Sequence, residues 1–114
     1  GARYKVDREK LRKKVEEFLT GRGLDDVEVS IAIVGGRKMR QLNRTYRKID
    51  AATDVLSFPL EEPRDKEGVL RLGDIVICYS KAREEAAEEE KFVDDKVSDL
   101  IEHGLRHLLG EHHD

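Results

Sequence analysis

A chain of 114 residues and 13.1 kDa is one domain's worth, since domains cluster at about 100–150 residues. Apolar residues make up 38% and charged residues 41%, lean for a core, yet the apolar ones come in periodic runs, which argues against intrinsic disorder. No apolar stretch approaches the roughly 20 residues that cross a bilayer, no signal-peptide pattern opens the chain, and the lone Cys78 excludes an internal disulfide; a reducing cytoplasm, with neither membrane nor disulfide-linked partner, is the expectation.

The net charge of -3 hides a split. Residues 1–60 carry 14 Lys/Arg against 9 Asp/Glu, while residues 61–114 carry 8 against 16. Within the basic half, Arg37, Lys38, Arg40, Arg44, Arg47 and Lys48 form a run with no acidic residue among them. Such a stripe either holds phosphates or is a plain solvated helix face. The block Glu84, Glu85, Glu88, Glu89 and Glu90 reads as solvated helix surface.

In chain order, Val6, Leu11, Val15, Phe18 and Leu19 recur at helical spacing, with Asp7 as N-cap and Gly21 and Gly23 as the stop. Val27, Val29, Ile31 and Ile33 then alternate with Glu28, Ser30 and Ala32, the period of a half-buried strand. Gly35-Gly36 ends it. Met39, Leu42 and Tyr46 mark the core face of a second helix whose other face carries the basic run. Asp54–Pro59 is β-rich, residues 60–68 read as a surface loop, and Val69–Tyr79 reads as one bent strand or two short ones, broken at Gly73-Asp74. Ser80 is placed to cap a glutamate-rich helix, and Asp94 or Asp95 to cap a last one with the face Val97, Leu100, Ile101, Leu105 and Leu108. The expectation is a mixed α+β chain, a single domain over residues 1–114, with helices around one small sheet.

All four histidines fall in the last twelve residues. His103 and His107 are four apart on the expected last helix, so both rings leave one side, one turn apart. Gly110 permits a sharp turn, and a third histidine beyond it completes the pattern His-x-x-x-His-x-x-Gly-x-x-His, ending at His113. Three neutral imidazoles around Zn²⁺ leave a position open for water, the catalytic and not the structural arrangement. Bound water then has a pKa near 7. The metzincin proteases share this spacing but place a glutamate base after the first histidine. Here Gly104 occupies that position, which disfavours a peptidase.

Three blocks together resemble the YbeY-type endoribonucleases and rRNA maturation factors. They are Leu42–Asp50 continuing into Thr53–Pro59, then Leu72–Cys78, then His103–His113. The resemblance covers nearly the whole chain and implies a mixed, about four-stranded sheet with surrounding helices and a metal site on the C-terminal helix. It also implies one zinc-like ion per chain on His103, His107 and His113, and an arginine in the Tyr-Arg-x-x-Asp stretch that matches Arg47, with Arg47 and His107 as catalytic residues. The implied activity is single-strand-specific cleavage of RNA in 16S rRNA 3′-end maturation, with the small ribosomal subunit as partner. The chain reads Gly-Glu-His-His from 110 to 113 where members usually read Gly-Tyr-Asp-His, which makes His112 a rival third ligand. Arg106 replaces a usual leucine.

Taken alone, Arg47 has a plain alternative as a surface partner of Asp50 or Asp54. Thr53 and Ser57 are candidates for a substrate groove, and Asp74 for fixing a histidine or a turn. The sequence leaves open whether water or the RNA 2′-hydroxyl attacks. Two other classes remain, a metallohydrolase of a different substrate and a non-catalytic ribosome-assembly factor whose metal braces the last helix.

Overall fold

The computed structural model describes residues 4–60 and 67–111. Its elements are α1 (Arg8–Thr20), β1 (Val27–Val34), α2 (Gly36–Arg47), β2 (Val55–Pro59), β3 (Leu70–Cys78), α3 (Tyr79–Glu88) and α4 (Val93–Leu108). The order of helices and strands is the one expected from periodicity. Asp7 caps α1 through a 3.1 Å bond from the Lys10 amide to its carboxylate. Two caps differ from expectation. β3 runs straight into α3, so Cys78 holds the cap position and Ser80 lies inside the first turn. Phe92 caps α4, and Asp94 and Asp95 occupy its first turn, where their charges favour the positive end of the helix dipole.

The sheet has the order β1-β3-β2, parallel between β1 and β3 and antiparallel between β3 and β2. It is mixed, as expected, but has three strands among the described residues and not about four. The run 69–79 supplies one strand because a bulge absorbs its irregularity. Glu28 pairs with Arg71 and Ser30 with Asp74, so β3 carries one residue more than β1 across that step. Gly73 sits in the extra position with φ +137°, a conformation only glycine adopts without strain.

Side chains alternate across this sheet and so divide the core. Ile75 and Ile77 face α1 and α4 and pack with Leu11, Leu19, Val97, Ile101 and Leu105. Val76 and Cys78 face the other way and pack with Met39 and Leu56. Thus α4 lies on one face and α2 on the other, with β2 as the edge strand that both border. No helix among the described residues is long and apolar enough to cross a membrane.

Gly104 sets the depth of α4. A Cβ there would stand 3.0 Å from two carbons of Ile75, so hydrogen in place of a side chain is what lets the helix lie close on β3. Gly73 is more demanding, since its Cβ would fall 2.1 Å from the Phe58 carbonyl oxygen. Gly73→Ala is therefore expected to lower unfolding free energy by about 3 kcal/mol. Gly23→Ala, at φ +70° with open space around it, should cost only about 1 kcal/mol. Urea denaturation of the two variants measures the difference.

Candidate functional site

On α4, Lys96, His103 and His107 are separated by seven and four residues, so the three share one stripe of the helix. That stripe lies roughly 100° round from Gly104, which is buried against Ile75. Both imidazoles are exposed, with ring centroids 6.1 Å apart and planes at 36°. Two nitrogen donors one turn apart on an anchored helix suit a common borderline-soft ion. Gly110, at φ +77°, turns the chain after the helix. Among the described residues no third histidine, cysteine or carboxylate joins the pair in a metal-holding cluster. His112 and His113 lie outside the described residues.

The turn is held by charge. Glu111 accepts two bonds from Arg22, at 2.8 and 2.9 Å, and one from Arg106 at 3.3 Å. Arg106 also donates to Glu102 at 3.0 Å, and the Arg22 guanidinium lies 3.8 Å above the Phe18 ring. Arg106 and Glu111, two of the departures from the resembled pattern, therefore pair with each other, and Arg22 ties the turn to the end of α1. Glu102 is engaged in the same network. Gly104 points into the core, so a glutamate at that position would meet Ile75 and not a bound water.

Beside His103 opens a cavity of about 270 Å³, walled by Asp54, Val55, Lys96, Asp99, Leu100 and His103. Lys96 is the lysine in its wall. Its side chain is only 13% exposed and reaches Glu89 at 2.6 Å and Glu85 at 3.2 Å. Burial pushes the Glu85 carboxyl above its usual range; the Lys96 hydrogen bond opposes this, and the charge and hydrogen bond of Asp54 raise it further. The Lys96 hydrogen bond holds Glu89 below the usual range. The glutamate block is thus not wholly solvated surface, because Glu85 is partly buried against Lys96. Sequence reasoning missed Lys96 and Glu85, because a lysine among the charged residues of α4 carries no local mark that it is drawn inward.

The other expected residues divide between the two faces. Val55 and Ser57 pair opposite Ile77 and Ile75 and so share the α4 face with the histidines. Asp74 is exposed and belongs to the α2 face with Val76, so it supports no histidine. Arg47 is exposed at the last position of α2, also on the far face, and the segment 48–54 runs from it to the cavity wall at Asp54. Its suggested partners are occupied elsewhere. Asp50 accepts 2.8 and 2.9 Å bonds from Arg40, which hold its carboxyl below the usual range, and Asp54 faces Glu85. Arg47 makes no ion pair or side-chain hydrogen bond among the described residues.

Asn43 explains how the end of α2 is held. It is 2% exposed; its amide donates to the Ala51 carbonyl at 2.8 Å, and its main-chain carbonyl accepts from the Ile49 amide. Tyr46, expected in the core, is 63% exposed in the last turn of α2, with the Phe58 ring against it.

Residues 2–114 match the family model described as Endoribonuclease YbeY. A protein of that name from Aquifex aeolicus is 43% identical over 110 residues, 96% of this chain and 72% of the relative. Another from an Anaeromyxobacter strain is 44% identical over 105 residues, 92% of this chain but 54% of the relative. The chain thus spans little more than half the length of that relative. A Thermotoga maritima protein solved in solution superposes with a TM-score of 0.64 at 31% identity, covering 93% of this chain and 66% of that one.

Replacing Lys96 with methionine leaves Glu85 facing Asp54 without a cation and Glu89 with Lys91 alone, at 3.6 Å. Lys96→Met should lower stability by about 2 kcal/mol at neutral pH, less than a fully buried pair would lose because Glu89 is partly solvated. As pH falls, Glu85 with its raised pKa takes a proton first and Glu89 last, so the attraction to Lys96 disappears in the wild type too. The penalty should therefore shrink through the acidic range, as paired urea titrations at neutral pH and near pH 3 would show.

Proposed function

Because this chain belongs to the YbeY endoribonuclease family, we propose that it is a metal-dependent endoribonuclease of single-stranded RNA. Its role would be cytoplasmic, in 16S rRNA 3′-end maturation and ribosome quality control on the small subunit, with residues 1–114 acting as one domain. The observation that carries the reading is the exposed pair His103 and His107, set beside the cavity walled by Asp54 and Lys96. His103, His107 and His113 would hold one zinc-like ion. That ion would supply Lewis acidity toward a phosphoryl oxygen and make water acidic enough to ionise near neutral pH.

The chain's own residues perform the rest. Arg47 meets two non-bridging phosphate oxygens with its planar fork and stays charged as negative charge builds on them. Its lack of a carboxylate partner among the described residues means that no ion pair there must be broken before phosphate binds. The histidines and Arg47 lie on different faces of the sheet, so the strand must pass over the β2 edge, along the segment 48–54. Asn43, by fixing Ile49 and Ala51 to α2, keeps that passage in place. Lys96 stands in the cavity wall, held in place and balanced in charge by Glu85 and Glu89.

Purified protein is expected to carry one zinc-like ion per chain by elemental analysis and to cut an unstructured RNA. Arg47→Ala should retain the metal and lose on the order of a hundredfold or more in rate, whereas His107→Ala should lose both. Metal-loaded wild type that leaves single-stranded RNA intact would falsify the enzyme reading and favour an assembly factor. For the third ligand, His113→Ala should release the metal and His112→Ala should keep it; the reverse pattern would reassign the ligand to His112.

A further inference from the structure

On α2, Met39 and Asn43 are buried, and Tyr46 follows them on the same face one turn later. It should be covered, yet it is more than half exposed. Among the described residues the aromatic ring that meets it is Phe58, edge-on at 5.0 Å and 60°. An edge contact of this kind props an aromatic ring from one side and leaves much of its surface to solvent. A phenol held in this way has no packing reason to stand where it does.

Its surroundings are cationic. Arg44, Arg47 and Lys48 are all exposed within the last turn and cap of α2. The acidic residue next in the chain, Asp50, is bound to Arg40. The C-terminus of a helix repels anions, so these cations first offset that field and then exceed it. A flat π-surface ringed by guanidinium and ammonium groups fits a nucleotide of an unpaired strand, with the base on the ring and the phosphates on the cations. A duplex keeps its base faces stacked and offers the ring nothing.

We propose that Tyr46 is the stacking platform for one base of single-stranded RNA, braced by Phe58, with Arg44, Arg47 and Lys48 taking the flanking phosphates. The assignment rests on the RNA-cleavage reading and adds to it the residue that tells single strand from duplex. Phosphate contacts at Arg47 bind any sequence and any strand form; stacking at Tyr46 requires an accessible base.

The chain contains no tryptophan, so Tyr46→Trp creates its sole indole reporter. Titration uses a 2′-O-methyl uridine decamer, which resists cleavage, an abasic decamer of the same charge, and an RNA duplex. The uridine decamer should quench the indole, while the abasic strand and the duplex should not. Tyr46→Leu, which keeps an apolar contact to Phe58, should bind the uridine decamer about tenfold more weakly than wild type and the abasic strand equally well. Its salt dependence should be unchanged, whereas Arg47→Ala should flatten the slope of log affinity against log salt by about 0.7 for both strands. Equal binding of the uridine decamer by wild type and Tyr46→Leu, or equal quenching by the abasic strand, would overturn the proposal and assign the ring to a protein contact. A wild-type chain that binds no single strand at all would sink the endoribonuclease reading as well, which separates the two failures.

Discussion

The site depends on how closely α4 approaches β3. Gly104 faces Ile75 with no room for a methyl group, and Val97, Ile101 and Leu105 bury the rest of that helix face. A helix pinned along this line cannot roll. The residues roughly 60–100° away on one side, Lys96, His103 and His107, are then held at fixed positions on the helix relative to the sheet. The same glycine answers a chemical question. A general base at position 104 would be packed into the core, so the peptidase arrangement is incompatible with the contact that holds the helix.

Across the sheet, the polarity is reversed. One face presents histidines and a cavity with a buried lysine; the other presents the basic edge of α2. The strand between them, β2, is short and lies at the edge, so both faces are reachable by one extended ligand. The split in charge along the sequence becomes a split in space. The basic run keeps most of its charge because its members stand on a helix face without carboxylates, Arg40 being the one held bidentately by Asp50. The acidic half spends part of its excess inward, on Lys96, and part on the C-terminal turn, where Glu111 joins Arg22 and Arg106. Surface ion pairs add little stability individually; here their geometric effect matters more, since they set where the chain goes after Gly110.

The departures from the family pattern are intelligible in this light. Glu111 and Arg106 replace apolar or neutral residues of the family, and each has a second partner besides the other, Arg22 for Glu111 and Glu102 for Arg106. Together with Arg22 over Phe18 they form a polar strap between α1 and the end of α4, which fastens Glu111 beside the last turn.

The sequence by itself determined the elements and the metal-like pair. Periods of 3.6 and 2 in Val6–Leu19 and Val27–Ile33, the glycine breaks, and the i, i+4 spacing of His103 and His107 are local signals, and local geometry follows from them with little tertiary help. It determined the candidate Arg47 only through resemblance, because an arginine in a basic helix has no local mark of function. What tertiary structure alone decided is which charges are spent and which remain. Asp50 goes to Arg40 and Asp54 to Glu85, so Arg47 stays available; Lys96 is drawn into the cavity wall by Glu85 and Glu89; and Tyr46, given to the core by its spacing, is left in solvent. Spacing places a side chain on a face of its helix. Whether anything covers that face depends on residues distant in sequence, and only the packed chain brings them there.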